Sequence, residues 1–365
     1  MKKISTGVAI ALMILFVGLG SVLARNGGGY GGGKGGGQSG WHGGGQGGGK
    51  GGGSDIGSEN ILFSAFPSEA FPSEDTIMDP NDEMWSQVEG ISVPVMPMMV
   101  PELWGQSNTV ELKSLHNDTD VYIYARWADL SQSVFKSMWA KTSDGWTSSG
   151  ANEDRMGFAW GIDGSLSRSG SSGFGPGNGM AVGCATLCHV DPDDPNKLTM
   201  STAYTGFVAD LWQWKAARTN PVGYSDDQYF DNVDHKGDEG VSAYKNNKSE
   251  DGSKPAYMFA FEGGVGTSPY LFEDEATPFS DILFDGDALP GYVLRTPSGD
   301  RANVEAVGVW EDGFWTVVFK RSLRTESEND VQFTANSNFP FGISIFDNAG
   351  DEKHLKSHPL YLWLE

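Results

Sequence analysis

The chain's only two cysteines, Cys184 and Cys188, lie in the run Gly183-Cys184-Ala185-Thr186-Leu187-Cys188-His189. Two thiols with an adjacent imidazole are the groups that attach c-type haem: the thiols add to the vinyl groups and the imidazole binds iron. The usual spacing has two residues between the cysteines. Here there are three, and the extra residue can loop out between two thioether anchors. Other chemistries suit the same pair. A Cys184–Cys188 disulfide is natural in an oxidising compartment, although so small a loop constrains the unfolded chain little. A zinc site needs two further ligands, and no matching Cys/His pair occurs elsewhere. A redox dithiol normally has two intervening residues.

These residues sit in a block, Gly164 to Asp238, rich in Gly, Ser, Asp and Pro yet carrying Trp212, Trp214, Tyr224, Tyr229 and Phe230. Long irregular segments in compact domains are usually functional or disordered, and the aromatics argue for order. Leu211 and Lys215, one helical turn apart, predict a short helix over 209–218. Asp191 to Asn196 is an acidic turn without the glycine and terminal Glu of a calcium loop, and reads as solvated.

The elements that must position this block are strands. Val121, Ile123, Ala125 and Trp127 alternate with Tyr122, Tyr124 and Arg126; Trp315, Val317 and Phe319 alternate with Thr316, Val318 and Lys320. The same period of two runs through 341–345, and strands are expected at 91–99, 109–115, 156–162, 257–261, 303–310 and 360–364. Turn chemistry separates them at His116-Asn117-Asp118, Asp144-Gly145 and Glu311-Asp312-Gly313. Many strands and few helical stretches predict an all-β fold, a β-sandwich.

The whole chain carries 48 acidic and 25 basic residues, a net charge of −23. No acidic residue precedes Asp55, whereas Lys2, Lys3, Arg25, Lys34 and Lys50 do, so the body beyond is more acidic still. Such a surface repels phosphate backbones, which excludes nucleic acid as an expected ligand, and attracts a basic partner at low salt. Met1-Lys2-Lys3 followed by the apolar Val8–Val17 and Val22-Leu23-Ala24 has the layout of a cleaved signal peptide over 1–24. An uncleaved anchor is the other reading, but the run falls short of a full span. Residues 25–54 are glycine-rich and read as a flexible linker. A mature chain without a membrane span, periplasmic or extracellular, and a domain over 55–365 are therefore expected. Neither a nucleophile elbow nor a zinc-protease helix motif occurs, and no carboxylate pair has distinctive spacing, so no catalytic residue is expected.

Several segments, in order, resemble one family. Asp79-Pro80-Asn81-Asp82-Glu83-Met84-Trp85 with the strand after it, Val121 to Asp129, and Glu153-Asp154-Arg155-Met156-Gly157-Phe158-Ala159-Trp160 are similar to the haem-binding subunit of ethylbenzene dehydrogenase and its relatives. So are Asp210 to Arg218, Gly223 to Gln228, Trp315 to Leu323 and Gly342 to Gly350. The resemblance implies a β-sandwich related to carbohydrate-binding modules, with a long irregular haem-binding insertion, one haem at an end of the sandwich, and electron transfer rather than substrate chemistry. It implies iron held by a Met and a Lys. Lys215 matches that Lys and must be neutral to coordinate, which a desolvated pocket favours. The family's Met falls at Ala159, so His189 is the expected replacement, with Met156 and Met180 as further axial candidates. Trp212 and Trp214 are expected to wall the haem edge.

The leading expectation is an exported, cytochrome-like electron carrier, its haem c-type through Cys184 and Cys188, or b-type if non-covalent. Its partner would be a redox protein with a basic docking surface. The alternative is a secreted ligand- or carbohydrate-binding module with a Cys184–Cys188 disulfide.

Overall fold

A computed structural model of the protein describes residues 58–67, 71–97, 101–162, 188–190, 198–202, 205–260, 268–281, 287–350 and 353–365. All belong to one unit, Gly53–Glu365. The expected signal peptide and glycine linker lie outside the described residues, as do Met180, Cys184 and the acidic turn 191–196.

The strands that build the frame are β1 (Ile61–Ala65), β2 (Gly90–Met96), β3 (Asn108–His116), β4 (Asp120–Ala128) and β5 (Arg155–Gly161). There follow the short β6 (Cys188–Val190) and β7 (Leu198–Met200), then β8 (Ala209–Lys215), β9 (Asp226–Phe230) and β10 (His235–Gly237). The last five are β11 (Val304–Glu311), β12 (Phe314–Ser322), β13 (Ser337–Phe346), β14 (Leu355–Ser357) and β15 (Leu360–Leu364). All but β6 and β7, which pair only with each other, join one hydrogen-bonded sheet in the order β10-β9-β8-β5-β13-β14-β2-β3-β4-β12-β11. A second route from β13 to β3 passes through β15 and β1, whose ladder is parallel.

The sheet folds over at these links into two layers, β10-β9-β8-β5-β13 facing β3-β4-β12-β11. Aromatic side chains meet between them: Phe158 of β5 lies 5.1 Å from Phe319 of β12, and Trp214 of β8 lies 4.9 Å from Trp315 of β12 and 6.1 Å from Trp127 of β4. Each ring removed from water in this way stabilises the fold by roughly 2–3 kcal/mol. The fold is therefore the expected all-β sandwich.

The period-two segments became strands because one of their faces meets this core. On β4, Ile123, Ala125 and Trp127 face it, whereas Tyr122 and Tyr124 pack under Ile77 and Trp85 on the outer side. The Trp85 indole N–H donates to the Ile77 carbonyl at 3.1 Å and fixes that cover. The hairpin between β11 and β12 turns at Asp312 and Gly313, with φ of 51° and 81°, the mirror-image turn that Asp-Gly favours between twisted strands.

One expected element is absent. The helix over 209–218 is instead strand β8, hydrogen-bonded on both sides to β5 and β9. Leu211 and Lys215 do share a face, as residues four apart in a strand also do. The block expected to be irregular contributes three strands, β8 to β10, to the main sheet.

Candidate functional site

Strand β8 divides the residues singled out from the sequence between two faces. In its register with β5, Trp214 stands opposite Met156, Trp212 opposite Phe158, Leu211 opposite Ala159 and Lys215 opposite Arg155. Directly opposed residues share a face. Met156, Trp212 and Trp214 therefore enter the core between the layers, where all three are buried. Ala159, Leu211 and Lys215 lie on the outer face.

At one end of that outer face, Ala159, Ala209, Leu211 and Phe230 form an apolar floor, and Met200 packs against it. Met200 ends β7 and pairs in register with Cys188 of β6, while His189 pairs with Thr199. The thioether of Met200 thus seats the hairpin that bears Cys188 and His189 on the floor made by β5, β8 and β9.

At the other end the face is ionic. The Lys215 ammonium pairs with Asp226 and donates to the Tyr244 hydroxyl at 2.8 Å. Asp226 also pairs with Arg301 and accepts from the Tyr244 hydroxyl at 2.9 Å and the Gln228 amide at 3.2 Å. Both members of the central pair are sealed from solvent. Burial lowers the Lys215 amine to about 8, outweighing the pull of Asp226. Burial pushes Asp226 up, but Lys215 and Arg301 outweigh it and hold this carboxyl below its usual range. The turn after β8 is fixed by Glu153, which accepts the Ala217 N–H at 2.8 Å and the Arg218 N–H at 3.1 Å and pairs with the Arg218 guanidinium. That guanidinium lies over the rings of Tyr244 and Tyr292.

A separate open cleft of about 1040 Å³ lies where β4 ends and β13 leaves the sheet, lined by Trp127, Asp129, Asn152, Phe346 and Asp347 among others. Burial, then the neighbouring Asp154, raises the Asp129 carboxyl to about 7.

Lys215 and the apolar floor on which Met200 packs lie on the same side of the sheet, at its two ends. The structure does not bring Trp212, Trp214 or Met156 to that side, so these three do not wall or ligate a group bound beside Lys215. Met200, Asp226, Tyr244 and Arg301 were not found from the sequence. Met200 offered a faint signal, an apolar Leu-Thr-Met run shortly after the Cys-His motif; the other three are recognisable only once β9 is set beside β8.

Among the described side chains, the Met200 thioether and the Lys215 amine of lowered proton affinity are groups that can ligate haem iron, and the apolar floor lies on the same face. Lys215 would have to leave Asp226 to reach a metal.

Comparison with curated proteins gives no match. Among solved structures, the chain is similar to a family 9 carbohydrate-binding module from Caldicellulosiruptor kristjanssonii in complex with glucose, at 8% identity over 84% of this chain and 95% of that one, with a TM-score of 0.35. The same organism's family 9 module in complex with cellotriose matches at 8% identity, 84% and 94% coverage, and a TM-score of 0.30. The family profile described as ethylbenzene dehydrogenase matches residues 82–357. That span holds every strand from β2 to β14, including both ends of the face just described, and the chain accordingly belongs to the ethylbenzene dehydrogenase family.

Proposed function

We propose that the protein is an exported, non-catalytic haem carrier that passes electrons to or from a basic redox partner. The observation that carries this reading is the seating of the Cys188-His189 hairpin, through Met200, on the same face of β5, β8 and β9 that buries the Lys215 amine. Bound haem supplies a one-electron couple. The chain would hold it through thioethers at Cys184 and Cys188 and through the His189 imidazole. Lys215 or Met200 would be a further iron ligand, Met200 taking the place given from sequence to Met156, which points into the core. Ala159, Leu211 and Phe230 would keep water from the porphyrin. Export rests on the N-terminal sequence. Among the described residues no helix is long and apolar enough to cross a membrane.

Trp212, Trp214 and Phe230 are buried and offer a sugar no exposed stacking surface.

A visible spectrum of the chain exported from a haem-competent host tests the proposal. A Soret band is expected, with the pigment surviving acid–acetone extraction and losing that resistance in Cys184→Ser/Cys188→Ser. Extractable pigment in the unaltered chain would leave the carrier role and remove the covalent link. Folded, colourless protein would overturn the reading and turn attention to a glycan screen.

A further inference from the structure

Three carboxylates, Asp210, Asp227 and Asp330, converge in the β8–β9–β10 layer, with Asp238 beside them. Asp210 of β8 and Asp227 of β9 lie on the inward face, because Asp227 stands opposite Trp212 and Asp210 is two residues from it. Asp238 follows β10 and its N–H donates to the Asp227 carbonyl at 3.3 Å. Asp330 comes from the segment after β12. Asp210 and Asp227 are fully buried, and Asp330 and Asp238 are exposed by only 1% and 5%.

Their hydrogen bonding follows one pattern. Asp210 accepts the Val331 N–H at 3.0 Å through Oδ2 and leaves Oδ1 without a donor. Asp330 accepts the Asn303 amide at 3.1 Å and pairs with Arg321 at 2.9 Å through Oδ2, again leaving Oδ1. Asp238 accepts the Asn329 amide at 3.3 Å through Oδ1 and leaves Oδ2. Asp227 leaves both oxygens. One carboxylate oxygen from each of Asp210, Asp227 and Asp330 lies within 4.8 Å of the others. The cations that face the group are Arg321, already paired with Asp330, and Arg301, whose guanidinium is engaged by Asp226.

Buried carboxylate oxygens without donors are rare in folded proteins, because each has given up water for nothing in return. Protons, buried water or a cation must compensate them. Oxygens sharing a calcium ion at 2.3–2.6 Å stand at most about 5 Å apart, which is the spacing found here. The donors are all hard oxygens with no nitrogen or sulfur among them, which disfavours transition metals. Magnesium keeps several of its waters, for which so closed a site has little room, whereas calcium takes six to eight oxygens in flexible mono- and bidentate arrangements.

We propose that Asp210, Asp227 and Asp330 form a buried calcium site that ties strands β8 and β9 to the segment following β12. The site lies on the inward side of the layer, away from Lys215, and is independent of the haem reading.

The test uses the exported chain, stripped with EGTA, desalted and then titrated with calcium chloride. Isothermal calorimetry should give one site per chain, and 1 mM calcium should raise Tm by about 5 °C or more through binding to the folded state alone. Asp227→Asn should abolish that rise while unfolding, in EGTA, at or above the temperature of the parent, since it removes an uncompensated charge. Asp129→Asn, in the separate cleft, should keep the full response. Should Asp227→Asn fail to fold by circular dichroism, Asp210→Asn replaces it with the same expected loss. A parent Tm that ignores calcium, and that rises only on acidification, would show protons to be the compensating charge and overturn the proposal. A calcium response that survives the Asp227 or Asp210 substitution, or an equal response to magnesium, would overturn it too.

Discussion

Trp214 lies so close to Gly308 that a methyl group on the glycine would stand 2.5 Å from ring atom Cζ2 and 2.9 Å from Cε2. The contact is locked by Asn220, whose side-chain oxygen accepts the Trp214 indole N–H at 3.1 Å and the Gly308 N–H at 2.7 Å. Its amide returns a hydrogen bond to the Gly308 carbonyl at 3.0 Å. Gly308→Ala should therefore destabilise the protein by about 1–3 kcal/mol through overpacking. Trp214→Phe, which shrinks the ring, should recover part of that loss in the double variant. Chemical denaturation of the four proteins measures the coupling; additive effects would show the two residues to be independent.

Glu153 should be far less tolerant than its sequence position suggests. Glu153→Ala leaves the Ala217 and Arg218 N–H groups and the Arg218 guanidinium without their acceptor, all of them buried. A loss of about 3–5 kcal/mol is expected from breaking a buried pair on one side. Urea unfolding reads it directly, and a loss below about 1 kcal/mol would mean that the turn finds another acceptor.

Lys215→Met removes the buried ammonium and leaves Asp226 with Arg301, Tyr244 and Gln228. A destabilisation of about 2–4 kcal/mol is expected. If the protein binds haem through this amine, the variant's axial-ligand spectrum changes as well. The spectrum of Met200→Leu, compared beside it, separates the two candidates, since only the true ligand shifts the bands.

The pH dependence of stability should carry the mark of Asp129. Its folded-state carboxyl, raised by burial to about 7, binds a proton more tightly than in the unfolded chain. Its contribution is therefore greatest below the unfolded value of roughly 4 and fades as pH rises through 7. Asp129→Asn should stabilise the protein at pH 8, by on the order of 1 kcal/mol, and make no difference near pH 4. Thermal unfolding across that range checks it; a variant less stable than the parent at pH 8 would contradict the assignment.

The frame was legible where apolar side chains recur at every second position on the face that meets the core between the layers. Val121–Trp127 lies within β4, Trp315–Phe319 within β12, and 360–364 coincides with β15. Strand β8 was misread because polar Asp210 shares its inward face with Trp212 and Trp214 while apolar Leu211 shares its outer face with Lys215, so polarity does not alternate along it. Lys215 is hidden beside Trp214 because Asp226 and Tyr244 arrive from other segments to face it. No window of sequence contains that compensation. The same reasoning explains why Lys215 was singled out but Asp226 was not: the lysine lies in a motif, whereas its partner becomes meaningful only through the β8–β9 register.

The parallel ladder of β1 with β15 pairs Ile61 with Tyr361 and Ser64 with Leu364. Any delivery of the chain amino end first, from a ribosome or through a secretion pore, leaves this seam open until β15 has emerged. Zipping β15 onto β1 is then a step that waits on about 300 residues of intervening chain, and a chain that stalls before Leu360 leaves that edge of β1 without its partner strand.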